Sequence, residues 1–504
     1  MSALTLADRF ALARSDDLTL GTLLERLAAV RPGRLLATEP DGWSLTIDAA
    51  AQQVARAAGV LAPDIEHGER VLVATPNGYR LFLAVLAVAR AGGVAVPVNP
   101  KMADDEIAHV VADSGATRRI DDFDDLSEAG SPCSAVTVDR RGTAVLFYTS
   151  GTTGRPKGAE LSHRALVGSV GPGALVVPGM MVRRGCVSPL PVAHIAGFSL
   201  LVQMAVLGVP VHLVPHFRPD DTLDRIEATG AMMVVGVPAM YRMMLEAGAA
   251  DRDLSSVRLW SSAADAMPDE VAEAFQGFGA SLRLPGGRTV GRATFVDGYG
   301  MVELGGGVAT RVLPPVALPV AGALRPMRGN RVRVVDDAGD DLPHGQVGEL
   351  LVRGPGTMRG YHGNAGDSDR TLDSDGWLRT GDLASTRRGG FFELAGRMKD
   401  VIKHGGYSVF AREVERTLEE HADVAEAAVL GYPDPRKGEV PVAVVRRRAD
   451  ATVTPDALVA FVAERLSDYK VPRQVIVVDE LPRTGTDKVA KRELVSLFDE
   501  PTPI

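Results

Sequence analysis

The chain has few cysteines, no excess of positive charge and no long uninterrupted apolar run, and each shortage excludes a class of protein. Its 504 residues include two cysteines, Cys133 and Cys186, which match neither a disulfide framework nor a cysteine-ligated metal centre. The formal net charge of −9 disfavours a general nucleic-acid-binding role. The low cysteine content favours a reduced compartment, and we expect a cytoplasmic location.

The apolar stretches are too short or too interrupted for a membrane span. The N-terminal residues include several aspartates and lack the apolar core of a signal peptide. The longest apolar stretch, residues 197–215, is interrupted by Gln203, Pro210 and His212. We therefore predict a buried helix followed by a strand here.

What the chain does have is the composition of a large globular protein. Hydrophobic residues make up 45% and charged residues 24% of the sequence, and the length allows more than one domain. Short apolar strands alternate with helical patterns, as in strand 71–74, helix 79–91, strand 93–98 and helix 106–114. This alternation predicts an α/β fold in which helices flank mainly parallel sheets. We interpret the acidic residues 118–141 as an irregular surface connection.

The pattern changes near residue 330, where short strands separated by turn residues predict a small β-rich subdomain over about 330–396. A charged segment at 397–400 indicates a boundary. Beyond it, two helical patterns alternate with three strands, which predicts an α+β C-terminal domain over 401–504. The predicted N-terminal domain therefore spans 1–396, and 397–400 connects it to the second domain.

The most informative stretch is 148–158, with the sequence Tyr-Thr-Ser-Gly-Thr-Thr-Gly-Arg-Pro-Lys-Gly. It follows the apolar run 144–147, which predicts a buried strand. Its glycines let backbone N–H groups turn toward an anion, its hydroxyls add donors, and its lysine supplies charge. The spacing is not that of a Walker A loop. A solvated hairpin turn would need only one or two such residues, so we interpret the stretch as a polyphosphate-binding loop.

Two other stretches have suggestive chemistry but are weak in isolation. His194 lies between apolar residues at a predicted helix entrance, where a hydrogen-bonded core histidine is commoner than one that borders a pocket. Residues 295–303 place Tyr299 and Glu303 at the end of a strand, where ligands bind in open α/β sheets. An aromatic ring can stack on adenine and a carboxylate beside phosphates can hold Mg²⁺, although Glu303 could equally be a solvated side chain.

Taken in order, these stretches resemble the adenylate-forming superfamily of acyl-CoA synthetases, aryl-CoA ligases and luciferase-like enzymes, and specifically its acyl-CoA ligase branch. The resemblance covers nearly the whole chain and rests on 148–158, the His194 segment, 299–303, 380–382, 396–406 and Lys488. It implies that a carboxylic acid and ATP give an acyl-adenylate and pyrophosphate. A mobile C-terminal domain, hinged at Lys399, then rotates and a thiol attacks the adenylate. The implied cofactors are ATP/AMP, Mg²⁺ and coenzyme A.

The resemblance also implies roles for individual residues. Lys488 would bridge the α-phosphate and the substrate carboxylate, Tyr299 would stack on adenine, and Glu303 would bind Mg²⁺. His194 and Lys403 complete the implied catalytic group. The implied nucleotide site, with Asp382 and Arg397 on the ribose, comprises Thr149, Ser150, Gly151, Thr152, Thr153, Gly154, Lys157, Ala264, Asp265, Tyr299, Gly300, Met301, Val302, Asp382 and Arg397. The implied acyl pocket comprises Val192, Ala193, Ala196, Gly197, Phe198, Val237, Gly305 and Gly306, and the implied CoA tunnel comprises Gly405, Gly406 and Tyr407.

Two positions depart from the family pattern beside the phosphates. Val302 stands where a threonine usually follows Tyr-Gly-Met, and a lost hydrogen bond to an anionic group costs roughly 1.5–3 kcal/mol. Asp487 stands where a glycine usually precedes the final lysine, so a carboxylate can pair with Lys488 or repel phosphate. Both changes weaken adenylation more than thioester formation. A member that mainly converts a supplied acyl-adenylate to a thioester, with a separate enzyme making the adenylate, is therefore an alternative to a complete ligase.

Small residues in the implied acyl pocket predict the class of acid. Ala193 stands where relatives often carry a bulky aromatic, and Ala196, Gly197 and residues 305–307 are also small. We therefore predict a large hydrophobic acid, either a fatty acid or a bulky aryl acid, and disfavour a dicarboxylate such as malonate. CoA is preferred over a carrier-protein thiol as acceptor. A non-catalytic protein that binds acyl-AMP or acyl-CoA is an alternative of another class, although the retained Lys488, Lys403 and Glu303 argue against it.

Overall fold

A computed structural model describes residues 18–149, 155–168, 184–265, 267–284, 288–315, 323–448, 451–483 and 489–498. The chain forms two compact units. The first comprises Met1–Arg331 and Val352–Leu378, and the second comprises Val332–Leu351 and Arg379–Ile504. In this division, most of the β-rich region predicted over 330–396 belongs to the same compact unit as the C-terminal residues. The predicted hinge at 397–400 stays a prediction.

The first unit combines helices with two larger sheets. Its helices are α1 (Leu23–Val30), α2 (Ile47–Leu61), α3 (Tyr79–Arg90), α4 (Asp104–Ser114), α5 (Phe123–Ala129), α6 (His163–Val167), α7 (Ile195–Leu207), α8 (Pro219–Thr229), α9 (Pro238–Glu246), α10 (Asp269–Phe278) and α11 (Ala365–Thr371). Its strands are β1 (Leu35–Thr38), β2 (Ser44–Thr46), β3 (Arg70–Val73), β4 (Val94–Pro97), β5 (Arg118–Ile120), β6 (Thr143–Tyr148), β7 (Gly158–Ser162), β8 (Cys186–Ser188), β9 (Val211–Leu213), β10 (Met233–Gly236), β11 (Leu259–Ala263), β12 (Leu282–Arg283), β13 (Thr289–Val290), β14 (Thr294–Met301), β15 (Gly306–Leu313) and β16 (Arg325–Pro326).

Both larger sheets are mainly parallel, as the alternation of strands and helices predicts. A nine-stranded sheet has the order β16-β15-β14-β11-β10-β8-β9-β1-β2, and a five-stranded sheet has the order β5-β3-β4-β6-β7. β14, β11, β10, β8, β9 and β1 run parallel, as do β5, β3, β4 and β6. Parallel strands are covered on both faces, which explains why their sequences are continuous apolar runs. The predicted α/β class is therefore confirmed.

The apolar run near residue 200 forms a buried helix and a strand. α7 buries ten of its residues and ends at Gly208, which adopts a left-handed conformation with φ +65. β9 follows with all three residues buried. Among the described residues, no helix combines the length and apolar character that crossing a membrane requires.

The prediction of an irregular connection over 118–141 is wrong in part. β5 pairs parallel with β3 at the edge of the five-stranded sheet, and α5 follows it. The apolar signal is weak because β5 buries only Ile120 and α5 buries only Phe123 and Ser127. Asp122 caps the start of α5 by accepting a hydrogen bond from the backbone N–H of Asp124 at 2.7 Å.

The second unit is an α+β module with two sheets. It contains most of β17 (Arg331–Val335), β18 (Val347–Arg353) and β19 (Leu378–Arg387), and all of β20 (Phe391–Arg397), β21 (Val401–His404), β22 (Tyr407–Phe410), α12 (Ala411–Glu419), β23 (Val424–Asp434), β24 (Gly438–Arg447), α13 (Pro455–Ala463), β25 (Val475–Val478) and α14 (Lys491–Leu494). β17 to β20 form a four-stranded sheet in chain order. Its other sheet has the order β22-β21-β24-β23, with β25 parallel to β24, and α12 and α13 share a hydrophobic core with it.

Candidate active site

The predicted phosphate loop joins β6 to β7, which pair antiparallel from Thr143 to Tyr148. The apolar residues of β6 are 0–1% exposed, so the predicted buried strand is present. The loop closes where the backbone N–H of Thr149 donates to the carbonyl of Lys157 at 3.0 Å. The connection is thus a hairpin by local geometry, but one with far more donors than a turn requires. Its middle residues, Ser150, Gly151, Thr152, Thr153 and Gly154, lie outside the described part of the chain.

Lys157 is one of the two described cations of this loop, the other being Arg155, which is exposed. The ammonium group of Lys157 lies against residues from a distant part of the first unit. Its Nζ is 2.5 Å from Asp367 Oδ2 and 5.2 Å from the centroid of the Tyr361 ring. The segment 359–362 reaches this place because it pairs with β7, with Ala159 and Tyr361 forming an antiparallel bridge. The backbone therefore fixes Tyr361 beside the loop.

Glu303 lies on the other side of the same tyrosine. The Tyr361 hydroxyl donates a 2.8 Å hydrogen bond to Glu303 Oε1, and Glu303 is 7% exposed. Burial, and then the neighbouring Glu303 carboxylate, raise the pKa of Tyr361, so its hydroxyl keeps its proton and remains a donor. Tyr361 therefore contacts both Lys157 and Glu303.

Glu303 fits the requirement of a nucleotide-bound Mg²⁺. No group of three or more His, Cys, Asp or Glu side chains suitable for a metal occurs among the described residues. Mg²⁺ with nucleotides needs only one or two carboxylates, because phosphate oxygens and water supply the other ligands. A single buried carboxylate beside the predicted phosphate loop meets that need.

The predicted adenine segment lies at the carboxyl edge of the nine-stranded sheet. β10, β11 and β14 are parallel, and their registers align Gly236 with Ser262 and Ser262 with Asp297. The residues that follow in each strand therefore meet at one edge, as in other open α/β sheets. The predicted residues brought together here are Val237, Ala264, Asp265, Tyr299, Gly300, Met301 and Val302. Ala264 adopts φ +78, a left-handed conformation that is unfavourable for a residue with a Cβ.

Asp297 is a residue of this segment that sequence reasoning missed. It is 7% exposed, and its Oδ2 lies 3.3 Å from Arg311 Nη2 on the neighbouring strand β15. Its Oδ1 is buried with no hydrogen-bond partner among the described residues. Burial raises the pKa of Asp297 to about 6, although Arg311 and the backbone N–H of Met267 oppose the shift. A charged residue inside an apolar strand pattern was the only available signal.

Asp297 predicts a pH-dependent stability. Because its folded-state pKa of about 6 exceeds the unfolded value of 3.8, the folded state binds the proton more tightly. The free energy of unfolding therefore falls as pH rises from about 4 to 7, by at most about 3 kcal/mol from this group. Asp297→Asn removes this slope. Urea unfolding at pH 4, 5, 6 and 7 measures it as the difference between wild type and variant.

The control for this prediction is Asp269→Asn. Asp269 pairs with the same guanidinium, at 2.6 Å from Arg311 Nη1, but its side chain is 70% exposed. Its removal should leave the pH slope of the free energy of unfolding unchanged. A difference between wild type and Asp297→Asn that stays constant across this pH range would contradict the prediction.

His194 is not a fully buried core histidine, and it caps a helix. It is partly exposed and caps the start of α7, because its Nδ1 accepts a hydrogen bond from the backbone N–H of Ala196 at 3.2 Å. Ala193 and Ala196 beside it are also partly exposed, whereas Val192 is fully buried. The entrance of α7 therefore presents small side chains around an imidazole.

Several predicted acyl-pocket residues have a packing role in the structure. Phe198 is fully buried between Phe82 and Phe147, with ring centroids 5.4 and 5.5 Å away. A Cβ at Gly197 would lie 2.2 Å from the carbonyl oxygen of Pro191. Gly305 and Gly306 adopt φ +69 and +119, where a side chain is strained. These four residues are explained by packing and backbone geometry, and their role in an acyl pocket stays a prediction.

The second unit brings together the two predicted ribose residues. Asp382 on β19 and Arg397 on β20 are cross-strand partners, and Arg397 Nε lies 3.1 Å from Asp382 Oδ1. The Asp382 side chain is 10% exposed and that of Arg397 is 43% exposed. Lys399 follows in a single exposed 3₁₀ turn, Met398–Asp400.

Gly405 and Gly406 form the two-residue turn of the β21–β22 hairpin, in which His404 pairs with Tyr407. Both glycines have positive φ, +56 and +87, as a type I′ turn requires. An ordinary turn is therefore their local structure. On the same hairpin, exposed Lys403 donates from Nζ to Ser408 Oγ at 3.0 Å, and Tyr407 is 58% exposed. Lys488 and Asp487 lie outside the described residues.

Comparisons with known proteins show the family of this chain. Residues 24–128 and 120–362 match the AMP-binding enzyme family, and residues 413–488 match the AMP-binding enzyme C-terminal domain. The chain is 32% identical to a feruloyl-CoA synthase from an Amycolatopsis species, over 95% of this chain and 99% of the relative. It is also 32% identical to 4-coumarate–CoA ligase 5 from Oryza sativa subsp. japonica, over 94% of this chain and 93% of the relative.

The chain is also similar to a solved structure that contains bound ligands. O-succinylbenzoate coenzyme A synthetase from Bacillus subtilis, in complex with ATP and a magnesium ion, is 26% identical with a TM-score of 0.79, covering 94% of this chain and 99% of that one. The chain therefore belongs to the AMP-binding enzyme family, in its acyl-CoA ligase branch. It is an adenylate-forming acid–thiol ligase, a class whose cofactors are ATP, Mg²⁺ and CoA.

Proposed function

We propose that this protein forms the CoA thioester of a large hydrophobic carboxylic acid through an acyl-adenylate, with domain alternation between the two half-reactions. The observation that carries the proposal is the arrangement of Lys157, Tyr361 and Glu303 beside the loop between β6 and β7. A cation and a buried carboxylate on either side of one tyrosine suit a polyphosphate and its Mg²⁺. The proposed setting is the cytoplasm.

The first half-reaction needs the carboxylate to attack the α-phosphate while pyrophosphate leaves. Negative charge builds up on the phosphate oxygens, so cations near them lower the barrier. We assign Lys488 to the α-phosphate and the substrate carboxylate, and Lys157 with the rest of its loop to the β- and γ-phosphates. Mg²⁺, held through Glu303, neutralises phosphate charge when bound. Tyr299 stacks on adenine, and Asp382 and Arg397 bind the ribose.

In the second half-reaction, the CoA thiol attacks the acyl carbonyl of the adenylate, a thioester bond forms and AMP leaves. We assign the hairpin turn at Gly405 and Gly406, with Tyr407, to the pantetheine path, and Lys403 on the same hairpin to catalysis of this step. A turn without side chains leaves room for a ligand to pass close to the backbone.

An aryl or fatty acid is the proposed substrate. Ala193 and Ala196, beside His194 at the start of α7, have small side chains and are partly exposed. The two curated relatives described above are named for feruloyl and 4-coumarate, both aryl acids, which supports the aryl side of this class. Turnover of malonate in preference to aryl or fatty acids would contradict the proposal.

A split assay tests the function. ATP–pyrophosphate exchange with a panel of aryl and fatty acids measures adenylation, and CoA thioester formation from synthetic acyl-AMP measures the second step. A complete ligase performs both. Thioester formation without exchange would support the alternative of a protein specialised for a supplied adenylate. Failure of both steps would contradict a ligase and favour a binding protein.

One observation favours the alternative. Val302 is 7% exposed in the turn that also carries Glu303, so a buried methyl group occupies the place of the family's usual hydroxyl.

Restoring the hydroxyl should increase adenylation. We expect Val302→Thr to raise the exchange rate about ten- to a hundredfold, because one hydrogen bond to an anion is worth about 1.5–3 kcal/mol. The rate of thioester formation from acyl-AMP should stay unchanged. Val308→Thr is the matched control, since Val308 is also buried, at 3% exposure, in the adjacent strand β15. Equal exchange rates for wild type and Val302→Thr would contradict the proposed role of this position.

A further inference from the structure

Asp367 forms an ion pair with Lys157, the lysine of the loop between β6 and β7. Lys157 Nζ lies 2.5 Å from Asp367 Oδ2, which is within hydrogen-bonding distance. The Asp367 side chain is 17% exposed and that of Lys157 is 43% exposed. The hydrogen bonds from Lys157 and Arg370 lower the pKa of Asp367, so it carries its charge at neutral pH.

The local structure holds Asp367 in place. Asn364 caps the short helix α11 by accepting a hydrogen bond from the backbone N–H of Asp367 at 2.9 Å. Asn364 Nδ2 donates to Asp367 Oδ2, also at 2.9 Å, and Arg370 pairs with the other carboxylate oxygen. Asp367 therefore has structural partners of its own, and its contact with Lys157 is additional to them.

The backbone brings this helix to the loop. Segment 359–362 pairs with β7, where the backbone N–H of His362 donates to the carbonyl of Gly158 at 2.8 Å. Gly158 is the residue after Lys157, so the start of α11 is tied to the end of the loop. Asp367 thus stays close to any anion that Lys157 binds.

We propose that Asp367 is a positioning residue that acts as an internal counter-ion of Lys157, displaced when a polyphosphate enters, and that it thereby weakens polyphosphate binding. The inference rests on the proposed function, since it takes the loop to be the phosphate site. A phosphate oxygen must take the place of the carboxylate at Lys157 Nζ, and the displaced carboxylate remains a like charge nearby. The contact between Asp367 and Lys157 therefore lowers the affinity for pyrophosphate and makes its release easier.

The test is binding of inorganic pyrophosphate and of MgATP to the full chain, measured by isothermal titration calorimetry. Asp367→Asn keeps a side-chain oxygen that can accept the hydrogen bond from Asn364 Nδ2 but removes the charge. It should bind pyrophosphate about three- to fivefold more tightly, because a partly exposed ion pair is worth on the order of 1 kcal/mol or less. The KM for ATP should fall while the rate of the chemical step changes little.

Asp369→Asn is the matched control, because Asp369 is an exposed carboxylate on the same helix. It should leave the affinity for pyrophosphate unchanged. If Asp369→Asn tightened binding as much as Asp367→Asn, the tighter binding would reflect the change in net charge and not the loss of the ion pair between Asp367 and Lys157. Unchanged or weaker pyrophosphate binding by Asp367→Asn, with a lower melting temperature, would leave Asp367 only a structural role beside Asn364 and overturn the inference. Absence of pyrophosphate and MgATP binding by the wild type would overturn the proposed function itself.

Discussion

Lys488→Ala is expected to reduce acyl-adenylate formation by about 10³-fold or more while leaving thioester formation from acyl-AMP within a fewfold of wild type. Removing one preorganised cation from a developing phosphoryl charge costs on the order of 10²–10⁵ in rate. The second half-reaction breaks a bond to a carbonyl carbon, and Lys488 is not assigned to that step. The difference between the two half-reactions therefore separates a catalytic loss from a folding defect.

Arg492→Ala is the control for the lysine variant. Arg492 is an exposed cation four residues further along, in α14. Its removal should change neither half-reaction more than about twofold, because its exposed charge is assigned to neither step and is screened by salt. If Lys488→Ala lowered both half-reactions equally, its assignment to the adenylation step alone would be wrong.

Glu303→Gln is expected to lower adenylation by about 10²–10³-fold and to raise the Mg²⁺ concentration needed for half-maximal rate. The charge proposed to hold the metal is lost, whereas the size of the side chain is kept. ATP–pyrophosphate exchange across a Mg²⁺ titration measures the rate effect. Calorimetric MgATP binding gives a second readout that does not depend on turnover.

Tyr361→Phe should give a smaller effect in the same direction. It removes the 2.8 Å hydrogen bond to Glu303 and leaves the carboxylate itself. Loss of such an outer partner typically costs about ten- to a hundredfold in metal affinity. Glu160→Gln is the control, since Glu160 is a half-buried carboxylate on β7 that accepts hydrogen bonds from Thr143 and pairs with His362. A Mg²⁺ dependence identical in wild type and Glu303→Gln would rule out the metal assignment.

The loop at 148–158 could be predicted because its chemistry is local. Buried β6, the donor-rich connection and Lys157 follow one another in the chain, so the sequence displays them together. Tyr299 and Glu303 could be predicted in the same way, as the end of one strand. The order of these segments was specific enough to identify the family, which the comparisons confirm.

The partners of those residues could not be predicted, because they come from distant parts of the chain. Tyr361 and Asp367 lie some two hundred residues after Lys157, and only the pairing of segment 359–362 with β7 brings them to the loop. Arg311 reaches Asp297 through the antiparallel pairing of β14 and β15. The hydrophobic periodicity of the sequence does not indicate which strands are neighbours in a sheet.

Small residues in the sequence did not show whether the space beside them is free. Glycine and alanine near the implied acyl pocket suggested free space, but Gly197 is required by the close carbonyl of Pro191 and Gly305 by its backbone conformation. A glycine in a sequence indicates that a side chain is absent, not whether protein or ligand occupies the place. Gly405 and Gly406 illustrate this, since their positive φ values already explain them.

By itself, the sequence determined the α/β class, the buried strand that precedes the donor-rich loop, and the family. These features depend on hydrophobic periodicity and on residue types that are neighbours in the chain. Only the tertiary structure decided that Lys157 pairs with Asp367, that Tyr361 joins it to Glu303, and that Asp297 is a buried carboxylate with a raised pKa. Desolvation and ion pairing depend on what surrounds a group in space, and that is fixed only when sheets and helices pack.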